Sequence, residues 1–475
     1  MIPLIANSLW FASCLPEAAA FRRATHDVAG AQRRVLRRIT GFDHVVEFQE
    51  RVPFSNEAGT PREPVIHRVP TSGTTGPTKL IPYTRSLLAE FQRGISSWIA
   101  DLFAHNPGML NGRSYWAISP VAGEAETFSD DTEYLGRAGW LARATLAVPP
   151  TVRHIQDMHE WRRETLRHLT ACRDLTFISV WHPSFLTLLL EGINEPSRLW
   201  PKLRVISCWA DAAAEIPATE LARLFPEATI QPKGLIATEG FVSFPLWGRD
   251  GAALALRSHF FEFLGDDAKV KLAHELVAVS EYSVVLTTGG GLRRYRLHDR
   301  VCVTGFEKEC PLLRFVGKET HVSDHFGEKV NERHVQKALD AIGVEWAFAL
   351  VACEGDAYTL FIETTANDDQ LLTSAERLET ALQENVHYRY CRQLGQLQSA
   401  QVFRISRDGR STWLMEWARR GRQLGDIKPL VLSRENGWAS VFPGRYLNAR
   451  EAVNREAINP VEQRAMTRPS SDILR

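Results

Sequence analysis

The sequence predicts a two-domain α/β protein. Residues 1–318 form a large N-terminal domain with mixed or parallel sheets covered by helices, and residues 319–475 form a small α+β C-terminal domain. Three observations carry this expectation. Short apolar β-type runs alternate with amphipathic helical stretches through the first part of the chain, as in a sheet covered on both faces. After about Lys318 the order becomes helix, strand, strand, helix, strand, which is a separate small unit. The chain is also long enough, at 475 residues with 44% apolar, for more than one core, and disordered or fibrous classes are excluded.

At the N-terminus, Leu9-Trp10-Phe11-Ala12 is apolar, but no basic residue precedes it and Pro16 interrupts the stretch, unlike a secretory signal. No other segment reaches the roughly 20 apolar residues of a membrane helix. Arginines surround Val35, Leu36 and Ile39 at near-helical spacing. This reads as a solvated helix face rather than a nucleic-acid patch, because 56 Lys plus Arg balance 56 Asp plus Glu. Over 85–105, Leu87, Leu88, Phe91, Ile95, Trp98, Ile99 and Leu102 recur at three- and four-residue spacings, predicting a long amphipathic helix that opens straight after a glycine-rich loop. Strands follow over 175–180, 203–208, 282–288 and 301–304, with a helix around 185–193. In the small domain, helices are expected over 332–342 and 375–385, and strands over 346–353, 358–364 and 400–405, after a hinge at Ser323-Asp324-His325-Phe326-Gly327. The seven cysteines are scattered and never in a C-x-x-C pair, which argues against a disulfide framework or structural zinc and for a reducing cytoplasm.

The most informative segment is Thr71-Ser72-Gly73-Thr74-Thr75-Gly76-Pro77-Thr78-Lys79. Its glycines let backbone N–H groups approach a polyphosphate, its hydroxyls can donate to the oxygens, and Lys79 adds a point charge. The spacing is not that of the G-x-x-x-x-G-K-[ST] loop. An ordinary Gly/Thr turn is the bland alternative. The fifteen histidines form no H-E-x-x-H, and ones such as His259 or His274 read as satisfied interior residues. No G-x-S-x-G elbow suggests a hydrolase. Trp116, Tyr134, Trp181, His182, Phe260 and Phe261 are either core or the lining of an acyl pocket.

The loop resembles the phosphate loop of the adenylate-forming superfamily of acyl ligases. Leu80-Ile81-Pro82-Tyr83-Thr84, Tyr115-Trp116-Ala117-Ile118-Ser119-Pro120 and Asp131-Thr132-Glu133-Tyr134-Leu135-Gly136 narrow the resemblance to its GH3 branch, as a bacterial relative of the plant auxin- and jasmonate-amido synthetases. The resemblance implies the acyl-adenylate-forming fold and assigns Ser72, Gly73, Thr74, Thr75, Gly76 and Lys79 to the nucleotide phosphates.

In Gly234-Leu235-Ile236-Ala237-Thr238-Glu239-Gly240, the resemblance gives Thr238 to phosphate and Glu239 to Mg²⁺, with both in the catalytic set. A carboxylate suits a hard cation that bridges phosphate oxygens. Leu235 stands where many relatives place an adenine-stacking tyrosine, and a helix-capping Thr-Glu pair is the alternative. The block running from Tyr282 to Asp299 resembles the family's strand, turn and Tyr-Arg-x-Gly-Asp motif. Asp299 then takes the ribose hydroxyls, against the alternative of a surface Arg–Asp ion pair. Arg293 replaces a usual tyrosine and His298 a usual glycine. Phe315-Val316-Gly317-Lys318, Ser323-Asp324 and Gly327-Glu328-Lys329 resemble the hinge region, with Lys318 at the place of an arginine that would touch ribose or phosphate. Gly425-Asp426-Ile427-Lys428 offers Lys428 as the superfamily's late catalytic lysine, or as a loop lysine.

The expected function is an ATP- and Mg²⁺-dependent amido synthetase that activates a carboxylic acid as acyl-AMP and passes it to an amine, with amino acids the class the resemblance points to. No nucleic acid or membrane partner is expected. An acyl-CoA ligase and a non-catalytic nucleotide or acyl-ligand sensor are the alternatives. Intact Lys79, Glu239 and Asp299 argue against the sensor.

Overall fold

The computed structural model describes residues 2–447 except 58, 71–78, 118–138, 156, 268, 320–321, 324, 327, 421–426 and 428–429. It divides into two compact units, Met1–Glu319 with Trp417–Pro429, and Thr320–Glu416 with Leu430–Arg475.

The first unit contains two principal sheets. One has four parallel strands in the order Arg113–Trp116, Leu175–Ser179, Val205–Cys208, Thr229–Pro232. Its two central strands are buried along their whole length, the continuous apolar pattern of a covered parallel sheet. The runs over 282–288 and 301–304 do not join it. They lie in a seven-stranded antiparallel sheet whose central strands are Glu281–Thr287, Tyr295–Glu307 and Cys310–Lys318. Hairpins allow such strands to follow one another without an intervening helix, so alternation with helices was a guide only to the first sheet.

The helix Arg85–His105 forms as the spacing predicts. Thr84 caps it by accepting from the Leu87 N–H at 3.2 Å, and Leu87, Phe91, Ile95, Trp98, Ile99 and Leu102 are buried. Ahead of it, Ile2–Ala24 is helical through Pro16 and buries Ala6, Trp10, Cys14, Ala18 and Phe21 at three- or four-residue intervals. Trp10 packs edge-on to Phe103 at 5.8 Å between ring centroids. Among the described residues this helix is the one long and apolar enough, by length and composition, to cross a membrane. None of the seven cysteines is in a disulfide.

The second unit is a five-stranded mixed sheet in the order Leu432–Ser433, Phe348–Glu354, Ala357–Glu363, Gln398–Ile405, Gly444–Leu447. Helices Glu332–Asp340 and Asp368–Leu382 supply its helical layer. A reciprocal capping box between Asn367 and Gln370 starts the second of these. Glu379 within it accepts from Tyr388 Oη at 2.8 Å, Arg392 Nε at 2.7 Å and the Ala400 N–H at 2.8 Å, which ties helix to sheet.

Candidate functional site

Strands His67–Pro70 and Leu80–Tyr83 pair antiparallel, with Pro70 opposite Leu80. The residues that join them, including Ser72, Gly73, Thr74, Thr75 and Gly76, lie outside the described residues. Lys79 stands at their exit. Its Nζ donates to the Asn56 carbonyl at 2.7 Å and to Tyr295 Oη at 3.1 Å, and lies 5.2 Å from the centroid of the Tyr295 ring.

Thr238 and Glu239 are the two turn residues of a tight hairpin, because Ala237 pairs with Gly240 and Ile236 with Phe241. The helix-cap alternative is therefore set aside. Tyr83 Oη donates to the Thr238 carbonyl at 2.7 Å, fixing the turn to the strand that leaves the 71–78 segment. Desolvation pushes the Glu239 carboxyl above the usual range, with Lys318 pulling it back and Asp299 adding to the push. Burial, with the Glu239 carboxylate nearby, holds the Tyr295 phenol protonated. Tyr295 thus links Lys79 to the surroundings of Glu239.

Asp299 is 2% exposed, on strand Tyr295–Glu307, directly opposite Lys318 in the ladder. Lys318 Nζ lies 3.4 Å from Asp299 Oδ1, an ion pair by distance whose alignment leaves that oxygen without a hydrogen bond among the described residues. A buried carboxylate oxygen of this kind is a fitting acceptor for a ligand hydroxyl. The surface Arg–Asp alternative is corrected by the partners of the flanking arginines. Arg294 pairs with Glu262, Arg296 with Glu319, and Arg300 with Asp266 and Glu281.

The register of this strand shifts between Arg300 and Val301 on one side and between Ser283 and Val285 on the other. His298 sits between these irregularities at φ +61°, the left-handed region that explains why glycine is expected there. Its Nδ1 faces Glu319 Oε2 at 3.2 Å and its Nε2 faces Asn56 Oδ1 at 3.0 Å. Hydrogen bonds from His298 and Ser283, with Arg296 nearby, hold the Glu319 carboxyl down at about 2. Arg293, the other departure, donates to the carbonyls of Thr288 and Ile39.

Leu235 is buried in the main core, with its N–H on Ser243 Oγ at 2.9 Å. Trp116, Phe260 and Phe261 are core residues too. Trp181 lies beyond the carboxyl end of its parallel strand, with its ring 5.6 Å from that of Trp209 and Lys233 Nζ 4.2 Å from its centroid. Tyr134 and Lys428 lie outside the described residues. Among the described residues no group of three or more His, Cys, Asp or Glu side chains could hold a metal ion. A Mg²⁺ at Glu239 would accordingly take its remaining ligands from phosphate oxygens and water, as that ion commonly does. Sequence reasoning missed Tyr295 as a bridge and Asn56 and Glu319 as anchors.

Residues 252–318 match the GH3 family central domain and residues 332–437 the GH3 family C-terminal domain. A putative indole-3-acetic acid-amido synthetase, GH3.10 of Oryza sativa subsp. japonica, is 29% identical over 161 residues, covering 30% of this chain and 32% of that protein. The GH3 domain-containing protein of Mus musculus is 29% identical over 234 residues, 43% of each chain. The chain thus spans under half the length of these curated relatives. In fold, it is similar to a GH3.15 acyl acid amido synthetase solved in complex with 2,4-DB, with a TM-score of 0.76 at 18% identity over 90% of this chain and 95% of that one. A 2-hydroxyisobutyryl-CoA ligase in the postadenylation state gives a TM-score of 0.51 at 13% identity, over 93% and 91%.

Proposed function

We propose that this chain, which carries the central and C-terminal domains of the GH3 family, is an ATP-dependent acyl acid-amido synthetase. The observation that supports this most is the convergence of Lys79, Asp299 and Lys318 on the buried Glu239 beside Tyr295, with one oxygen of the buried Asp299 left without a hydrogen bond among the described residues.

A carboxylate resists attack by an amine because its leaving group would be oxide. ATP removes that obstacle: a carboxylate oxygen attacks the α-phosphorus, pyrophosphate departs, and the acyl-AMP carries a good leaving group. The amine then attacks the acyl carbon, AMP departs with the carboxylate's former oxygen, and the nitrogen loses a proton. In this reading Asp299 accepts from the ribose hydroxyls and Lys318 balances its charge. Lys79 and the 72–76 segment face the phosphates. Mg²⁺, held by Glu239, would supply positive charge to the phosphate oxygens. A carboxylate that burial destabilises when ionised is a fitting ligand, since a bound cation relieves that penalty. The work of the site is to hold charges in fixed positions.

We assign residues 1–318 to the nucleotide and acyl domain and 319–475 to the small, mobile C-terminal domain, and we give the catalytic lysine's role to Lys428, in the Trp417–Pro429 stretch that groups with the larger unit. The acceptor is an amine, an amino acid by class, and the cysteines, none in a disulfide, support a cytoplasmic setting. The test is a panel of carboxylic acids assayed for acid-dependent pyrophosphate release, followed by separate offers of amino acids and coenzyme A. Amide formation supports the proposal, and thioester formation alone replaces it with the ligase alternative.

A further inference from the structure

Glu90 and His259 form a buried polar pair that the proposed chemistry does not use. Glu90, 2% exposed, lies on the inner face of helix Arg85–His105, and His259 is fully buried just before strand Phe260–Leu264. His259 Nδ1 is 2.8 Å from Glu90 Oε2. The Phe241 N–H donates to His259 Nε2 at 2.9 Å, and the Gly289 N–H donates to both Glu90 oxygens at 3.1 and 3.0 Å.

A backbone N–H can only donate, so Nε2 must present its lone pair, and the ring proton sits on Nδ1, directed at Glu90. The relay therefore has a single polarity, from the Phe241 N–H through imidazole to carboxylate. It joins three pieces of the candidate site. These are the helix that follows the 71–78 segment, the glycine turn ahead of Tyr295, and the strand that leaves the Thr238–Glu239 turn. Packing limits slack on the same line. A Cβ on Gly240 would meet His259 Nε2 at 3.1 Å, and one on Gly94 would meet the Phe241 ring at 2.2 Å. Apolar side chains could fill this volume without desolvating a carboxylate, so the pair asks for a reason beyond filling space.

We propose that Glu90 and His259 are positioning residues that fix the Thr238–Glu239 turn for the metal–polyphosphate end of the nucleotide. This rests on the nucleotide reading above. Because Asp299 holds the other end, loss of the relay separates MgATP from AMP.

The test compares His259→Leu and His259→Gln with the wild type, by calorimetry with AMP and with MgATP, by pyrophosphate exchange, by thermal denaturation, and by ¹⁵N NMR of the His259 ring. The glutamine carboxamide oxygen reaches the place of Nε2 and can accept from Phe241. We expect the wild-type ring to show the Nδ1–H tautomer. His259→Leu should raise the KM for MgATP about tenfold with AMP affinity within about twofold, a loss on the scale of one directed hydrogen bond. His259→Gln should recover most of it. A folded His259→Leu with wild-type MgATP parameters overturns the proposal, as do equal losses for AMP and MgATP or a glutamine variant no better than leucine. An Nε2–H tautomer in the wild type overturns it even if both variants fail to fold. Wild-type protein that binds neither nucleotide instead defeats the nucleotide reading on which the proposal stands.

Discussion

Replacing each partner of the Asp299–Lys318 pair should order stability and nucleotide affinity in opposite ways. Asp299 is 3% exposed at its side chain and Lys318 29%, across 3.4 Å. Lys318→Met leaves a buried carboxylate without that ammonium. Breaking a buried pair from this side costs about 3 kcal/mol, and less here because one partner reaches water. Asp299→Ala removes the buried charge and leaves a lysine that is already 29% exposed, so its folding cost should be about 1 kcal/mol or less. Binding should invert this order. On the proposed assignment Asp299→Ala loses the carboxylate given to the ribose hydroxyls, and AMP and ATP should both weaken by about 1–3 kcal/mol, roughly 5- to 150-fold. Urea denaturation gives the first order and calorimetry with AMP the second. A folded Asp299→Ala protein with unchanged AMP affinity would refute the ribose assignment. Loss of AMP affinity in Glu239→Ala equal to that in Asp299→Ala would refute the division between the two carboxylates.

Lys428→Ala should slow adenylation by about two to three orders of magnitude, the usual effect of losing one preorganised electrostatic donor. Acyl transfer from supplied acyl-AMP should survive, and equal loss in both half-reactions would remove Lys428 from this role. Glu319, held at about 2 in the fold, sits below its unfolded value of about 4.3, so its stabilisation is complete above that value and is lost as pH falls through about 2. Glu319→Gln should therefore lower stability near neutrality by about 1 kcal/mol, the full shift being discounted for solvent screening, and flatten the acid limb between about pH 4.5 and 2, measured as Tm against pH. An unchanged acid limb counts against the His298–Ser283–Glu319 network. Gly94→Ala drives a methyl into the Phe241 ring and should destabilise by about 1–2 kcal/mol, with overpacking outweighing the gain in helix propensity. A Tm equal to or above that of the wild type would contradict this packing.

What was legible in the sequence was local. The helix 85–105 announced itself through a repeating apolar stripe after a glycine-rich loop, and the strands over 175–180 and 203–208 through compact apolar runs that are buried on both faces. Asp299 and Glu239 were singled out as motif residues, but their surroundings were not readable from motifs. Tyr295 meets Lys79 across 216 residues, and His259 meets Glu90 across 169, so no periodicity links either pair. The antiparallel sheet was hidden for a related reason: the runs read at 282–288 and 301–304 are short and apolar, and only hydrogen-bond register assigns such runs to one sheet or the other. His298 is instructive in the opposite direction. Its side chain departs from the family pattern, while its backbone retains the positive φ that the pattern's glycine encodes.

The central claim is adenylation, and pyrophosphate exchange tests it most directly. With Mg²⁺ and a suitable carboxylic acid, the protein should exchange labelled pyrophosphate into ATP in the absence of any amine, because formation of acyl-AMP is reversible. Acid-dependent release of ADP and phosphate, with no exchange, would contradict the account.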